Sequence, residues 1–453
     1  MTTPGTGPHL APLFSSRRRR LAALPVLAAG VLLAAGCSAG GSTIGQTSAA
    51  TGKSITVDMF YPSPPKAMLA QFTKQTGIKV NWVEIGYDDL QTKIAAAASS
   101  NTYYADATDV DWSRVGEYAK TGWFYPLNKW FSPAALKSDV PQLDTFMVHG
   151  KLVGMPFDAS FLVTTVNTQD FKKAGISPVP DTVTGLSTAL KKLQKHGMAT
   201  PMDLHLAAAE GLSTCFYQMT AAYGGQVLNA ADTPQFTSPS SPGYKAMSFL
   251  VNAYRSGLVP KGNINTVDYT GFTTEMAKNR VAVELCDYSG SVGSIYDVPS
   301  SSSVVNQVQY EPTPGATGAG ANVANPDGIG IPKTAKNPAA AAKFIKWFDE
   351  TKNQAIWAGL DGPKDVITGF PLPMRLSSLS LLAKSGKYAQ AAELETLLRE
   401  HAQAPFPQGA PSWYAQFSNS VYTNIHEAAA GQESVKQAVK SIANQVAQLK
   451  ASG

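Results

Sequence analysis

From residue 54 onward, apolar positions switch repeatedly between the two-residue period of strands and the three-to-four-residue period of helices. Residues 55–60 read as a strand, closed by Tyr61-Pro62-Ser63-Pro64-Pro65. Met68, Leu69 and Phe72 then share one face of a helix that Gly77 ends, and residues 78–83 read as the next strand. Residues 87–100 read as a helix, and 105–112 as a short strand with its mouth. Strand, helix and strand with short joints predict a parallel α/β unit. Further on, 161–166 and 281–285 read as strands, and 181–196, 212–223 and 242–256 as helices. Residues 312–325, rich in Gly, Pro and Ala, read as a surface loop. Asn337-Pro338 reads as an N-cap with proline in the first turn, opening a helix that packs Phe344, Ile345, Trp347 and Phe348. Residues 434–450 carry Val435, Ala438, Ile442, Val446 and Leu449 at helical spacing. Trp82, Trp123, Trp130, Trp347 and Trp357 sit among apolar neighbours and are expected in the core.

The first apolar run is of another kind. Arg17–Arg20 precede an uncharged stretch, 21–36, too short for a membrane span, which takes roughly 20 apolar residues. It ends Leu33-Ala34-Ala35-Gly36-Cys37, which resembles the lipobox of bacterial lipoproteins. That resemblance implies a signal peptide over 1–36 and a lipidated Cys37, placing the protein on the outer face of the cell membrane. Residues 37–53 read as a flexible tether, since they are rich in Gly, Ser, Thr and Ala. A basic serine-arginine start also fits a twin-arginine leader, so the export route stays open.

The leader changes the meaning of the charge. The chain has 37 Lys and Arg against 32 Asp and Glu, but four arginines and no acid lie in residues 1–36, so the remainder carries about +1. No basic face is left for nucleic acid. About 400 residues follow the tether, more than one core usually supports, so two lobes are expected. Cys215 and Cys286 remain once Cys37 is set aside. In an oxidising exterior they can form a disulfide or stay as two buried thiols.

Catalytic signatures are sparse. The six histidines are isolated, without metal-ligand spacing. Asp106, Asp109 and Asp111 lack the glycine and glutamate of a calcium loop. There is no Gly-x-Ser-x-Gly elbow. No metal and no cofactor are expected. Carboxylate pairs for glycoside cleavage meet only in space.

Several passages, in their shared order, resemble the extracellular solute-binding proteins of bacterial ABC importers (family 1, maltose-binding-protein-like). They are Asn167 with Phe171-Lys172-Lys173-Ala174-Gly175-Ile176 and Pro178, then Lys278-Asn279-Arg280-Val281-Ala282-Val283. After these come Gly328-Ile329-Gly330-Ile331 with Thr334 and Lys336-Asn337-Pro338, and last Trp413-Tyr414-Ala415. The tryptophan that usually opens the helix after Asp181 is missing. The resemblance spans nearly the whole mature chain. It implies a two-lobed periplasmic-binding-protein-like α/β fold, with lobe one at 54–158 plus 327–378 and lobe two at 162–322 plus 385–453. It also implies a hinged interlobe cleft, a sugar or oligosaccharide ligand, a membrane permease as partner, and a monomer.

Sugars present flat C–H faces and rings of hydroxyls, so aromatic rings and carboxylates at strand ends and helix starts are the candidates. These are Tyr61, Asp111, Trp112, Arg114, Asp158, Ser160, Thr214, Tyr217, Asp287 and Tyr288. Trp413 and Tyr414 match the family's sugar-stacking pair. A lipid-anchored glycoside-active enzyme and a non-transporting solute sensor are the alternative readings.

Overall fold

In chain order the elements that carry the fold are β1 (Ser54–Met59), α1 (Lys66–Thr76), β2 (Lys79–Glu84), α2 (Tyr87–Ser100), β3 (Ala107–Asp111), β4 (Met155–Asp158), β5 (Leu162–Asn167), α3 (Val183–Lys195), β6 (Met202–Asp203), α4 (Glu210–Ala222), α5 (Pro242–Arg255), β7 (Val283–Tyr288), β8 (Val308–Glu311), β9 (Asp327–Gly330), α6 (Pro338–Phe348), α7 (Tyr414–Ala430) and α8 (Val435–Ser452). The structure is a computed structural model, and it describes residues 53–452 except 268, 364–368, 370 and 407–408. The expected signal peptide, Cys37 and all but Lys53 of the tether lie outside the described residues. Among the described residues, no helix is long and apolar enough to cross a membrane.

Two sheets organise the body. The first has the order β2-β1-β3-β9-β4, and the second β8-β5-β7-β6. β1 pairs in parallel with β2 and β3, as the strand–helix–strand pattern requires, while β9 runs antiparallel to both β3 and β4. β9 can lie this close only because it is Gly-x-Gly. A Cβ on Gly328 would stand 2.6 Å from the Phe146 ring, and one on Gly330 would stand 2.6 Å from Val110. α1 ends where Gly77 adopts φ 73°, a left-handed cap that glycine takes without strain.

Aromatic packing holds α1 and α6 to each other beside the first sheet. Phe72 meets Phe344 at 5.3 Å and Trp347 at 5.0 Å between ring centroids. Phe72 and Phe344 are fully buried, and each contributes about 2–3 kcal/mol by leaving water. In the second half, α4 packs on α5 and under α7, and α8 lies along α7. A disulfide between Cys215 of α4 and Cys286 of β7 pins that helix to its sheet. Trp347 and Trp357 are buried as expected, whereas Trp82, Trp123 and Trp130 are half-buried at the core's margin.

Three short segments carry the chain between the sheets. β4 ends at Asp158 and β5 begins at Leu162, so residues 159–161 make the first crossing. The second runs through Ala324, which bridges to Phe161, into Asp327. The third is Leu372-Pro373, where Pro373 bridges to Asp158 and the Leu372 carbonyl accepts the Ala159 N–H at 2.8 Å.

Two local expectations shift. β7 runs to Tyr288, three residues beyond the expected strand end, which moves Asp287 from a rim into a paired strand. Pro338 does open α6, but the Asn337 side chain does not cap it. Its amide instead donates to the Ser54 carbonyl at 3.3 Å, and its backbone N–H to Asp106 Oδ1 at 2.8 Å.

Candidate functional site

Strand ends of both sheets and the first turns of α2, α4 and α7 enclose a cavity of about 570 Å³. One wall comes from the first sheet. β1 delivers Phe60 and Tyr61 just past its end, and β3 delivers Asp111, Trp112, Ser113 and Arg114. Asp327 opens β9 beside Asp111, its register partner. The other wall comes from Ser160 and Asn325 at the crossings, Glu210 and Thr214 of α4, Tyr288 of β7, and Tyr414, Ala415 and Tyr422 of α7.

Each polar group is held. Asp111 Oδ1 accepts the Ser113 N–H at 2.7 Å and its hydroxyl, which caps a single turn that aims Trp112 and Arg114 at the cavity. Tyr87 donates to Asp111 Oδ2 at 3.1 Å. The Tyr61 hydroxyl lies 2.7 Å from Asp327 Oδ2 and 3.0 Å from Asp158 Oδ2. Glu210 accepts the Tyr414 hydroxyl through one oxygen and the Ser418 hydroxyl, at 2.6 Å, through the other. Trp112 lies face to face with Phe406 at 6.3 Å and edge-on to Tyr414 at 5.2 Å. Among the described residues, Arg114 is the only cation in the lining, and it is paired with Glu117 at 2.6 Å.

Eight expected site residues line this cavity: Tyr61, Asp111, Trp112, Arg114, Ser160, Thr214, Tyr288 and Tyr414. Four do not. Asp158 is fully buried behind Tyr61 and bonds the crossings together. Tyr217 is buried within α4, its ring parallel to Phe417 at 6.1 Å. Asp287 is buried in β7, accepting from Thr165 at 2.8 Å and Ser291 at 2.7 Å. Trp413 precedes α7 and packs edge-on to Phe417 at 5.9 Å, outside the lining. Sequence reasoning missed Tyr87, Glu210 and Asp327. Glu210 had a readable signal, an acid in the first turn of a helix that begins two residues earlier than expected. Asp327 had none, because only the antiparallel return of β9 sets it against Asp111.

Two other clefts are larger but poorer in aromatic rings. One, of about 690 Å³, is bordered by Tyr310 and Tyr388 and otherwise by polar and small residues of 306–311 and 383–393. The other, of about 770 Å³, is walled largely by Gly and Ala of 221–225 and 316–321. Among the described residues, no group of three His, Cys, Asp or Glu is placed to hold a metal ion.

Burial dominates the electrostatics. It pushes the Asp158 carboxyl up to about 6, against the bonds from Ser160 and Tyr61. Desolvation in the cleft, with Asp111 nearby, pushes Glu210 up to about 7. Asp327 is driven well above the carboxylate range by burial and then by Asp109, Asp111 and Asp158. These carboxyls hold protons more tightly folded than unfolded. For Asp158 and Glu210 that stabilisation is complete below the unfolded value of about 4 and is lost as pH rises through 6–7. His205 opposes them, because burial lowers it to about 4 and neutral imidazole is favoured as pH rises. The carboxyls outnumber it, so the melting temperature is expected to be higher at pH 5.5 than at pH 8. Thermal melts across that range check this, and a steady rise toward pH 8 would contradict it.

The sequence model of the bacterial extracellular solute-binding proteins matches residues 62–355. Among solved structures, the sugar-binding protein MalE of Xanthomonas citri is similar with a TM-score of 0.73 and 19% identity, over 88% of this chain and 98% of that one. Maltose-bound MalE3 of T. maritima is similar at 0.70 and 19%, over 87% and 99%. The cyclic alpha-maltosyl-1,6-maltose binding protein of Arthrobacter globiformis is similar at 0.70 and 21%, over 88% and 99%. At these identities the likeness is one of fold, the two-lobed binding-protein architecture. Among curated proteins, none matches the sequence significantly.

Proposed function

The chain belongs to the bacterial extracellular solute-binding proteins, and from that premise we propose that it captures a sugar or oligosaccharide between its two lobes and delivers it to an ABC permease. The observation that carries this reading is the cavity itself. Aromatic rings and carboxyls reach it from both sheets, so a ligand bound there touches residues on each side of three narrow crossings. Rings cover the apolar faces of a pyranose, and carboxyl oxygens accept its hydroxyls. The sugars named for several similar structures support the same class. We assign lobe one to 54–158 plus 327–378 and lobe two to 162–322 plus 385–453. Bending at the crossings would close the cleft and present a single shape to the permease.

A panel of mono- and oligosaccharides tested by thermal shift is the direct check. The expected result is a melting temperature that rises with concentration of one sugar class, as mass action requires. No shift from any sugar, with a clear shift from another solute, would replace the ligand class while leaving the receptor role.

Anchoring is proposed on the lipobox-like run ending at Cys37. Two acyl chains would hold the protein within reach of its permease. Replacing Cys37→Ala is expected to shift the protein from the membrane fraction to the medium. An unchanged distribution, with no acyl mass on the N-terminal peptide of the wild type, would remove the anchor.

A further inference from the structure

The near-neutral balance of the mature chain hides a local excess of positive charge. Residues 122–130, 148–153 and 331–337 hold Lys129, Lys151, Lys333 and Lys336 and no acid. The fold brings the three segments together. The Lys333 N–H donates to the Trp123 carbonyl at 2.8 Å, and the Asn128 amide donates to the Gly150 carbonyl at 3.0 Å. Tyr125, Lys151 and Lys333 border one small hollow of about 120 Å³. Lys53 and Lys79 extend the strip. The Lys53 carbonyl accepts the Lys79 N–H at 2.8 Å, and the Asn337 amide reaches the adjoining Ser54 carbonyl at 3.3 Å. All six lysines are exposed. Asp106, a carboxyl bonded to this strip, is buried and already accepts from Tyr103, Thr56 and Asn337.

Aromatic rings run between the lysines. Lys336 lies over the Tyr103 ring at 4.0 Å, Lys333 over Tyr125 at 4.2 Å and Lys129 over Trp130 at 5.3 Å. Tyr125 and Trp130 meet edge-on at 6.1 Å. Trp123, Tyr125 and Trp130 are only half-buried. Half-wet rings beside ammonium groups suit a membrane–water boundary, where rings sit at headgroup level and lysines meet phosphates.

Position is an independent argument. β1 starts at Ser54 in the strip and ends beside the cavity, while β9 runs from Asp327 in the cavity wall to Gly330 at the strip. The strip therefore covers the end of the first sheet opposite the cavity. The chain enters the fold at the same end, and Cys37 precedes Ser54 by only 17 residues. A flexible chain of that length spans about 20–25 Å.

We propose that this strip lies against anionic phospholipid headgroups of the membrane that carries the anchor, with the cavity turned to the medium. This rests on the anchored reading above and adds an orientation to it. Each lysine contributes only a modest, salt-screened attraction, and the tether keeps the strip within reach so that the sum is enough.

Vesicle flotation of the full mature chain carrying Cys37→Ser, and so without acyl chains, tests the surface itself. It is expected to float with vesicles of phosphatidylglycerol and phosphatidylcholine, to stay behind with phosphatidylcholine alone, and to be released as salt rises. Lys129→Gln, Lys333→Gln and Lys336→Gln together are expected to weaken partitioning at least about tenfold. Lys191→Gln, Lys195→Gln and Lys245→Gln, on α3 and α5, remove the same charge elsewhere and should change it less than about twofold. Equal losses from both sets would show attraction to overall charge and overturn the strip. Binding indifferent to phosphatidylglycerol, or no binding to either vesicle, would overturn it as well. The acyl mass on wild-type Cys37 decides the anchored reading separately.

Discussion

Truncating Trp112 to alanine is expected to weaken ligand affinity by about 100-fold, close to 3 kcal/mol, while the protein remains folded. The ring closes the cavity wall between Asp111 and Arg114, and Phe406 and Tyr414 fix its orientation, so little rotational entropy is spent when a sugar stacks on it. Removing it deletes the stacking face and opens the pocket to water. The matched control is Trp413→Ala, which should leave affinity within about twofold because that ring packs on Phe417 and does not line the cavity. Circular dichroism at the titration temperature separates lost binding from lost fold. Equal losses at both positions would show that the ligand sits on the α7 side, against Trp413.

Asp158→Ala is expected to cost about 3–5 kcal/mol of stability, read from urea unfolding midpoints. Its Oδ1 accepts the Leu372 N–H at 2.9 Å, and its Oδ2 accepts the Ser160 N–H at 3.2 Å, the Ser160 hydroxyl and the Tyr61 hydroxyl. The Asp158 backbone also pairs with Asp327 in the sheet and bridges to Pro373, so its side chain ties the first crossing to the third and its backbone meets the second. Alanine leaves several buried donors without an acceptor, each costing about 1–3 kcal/mol before relaxation. Asp158→Asn keeps one acceptor and should lose less than half as much. A loss under about 1 kcal/mol for alanine would show that the crossings do not depend on this residue.

Much of this was legible in residue order. Periodicity placed the first strands and helices within one or two residues, because turn-formers such as Gly77 and Pro62-Ser63-Pro64-Pro65 mark their ends. Strand ends also pointed to Tyr61 and to the Asp111-Trp112-Arg114 turn, since residues just past a parallel strand face the cleft. What failed did so for geometric reasons. Asp287 reads as a rim residue until β7 extends past it, and its carboxyl then bonds inward to Thr165 and Ser291. Tyr217 reads as a ring near a glycine pair, but α4 is covered on both sides, so only Thr214 of the expected two reaches the cavity. Trp413 and Tyr414 are adjacent, yet consecutive residues at a helix start point in different directions, and only Tyr414 faces in. Asp327 was invisible because its role depends on which strand β9 returns beside. The acidic character of the site became apparent only with Asp327 and Glu210 in place.

Whether a sugar sits between the two sheets is decided by a crystal structure with the tightest-binding sugar from the screen. One sugar is expected in the 570 Å³ cavity, stacked against Trp112 and Tyr414 and bonded to Asp111 or Asp327. A sugar bound instead in the cleft beside Tyr310 and Glu393, or in that beside Gly224 and Gly320, with the central cavity holding only water, would contradict it.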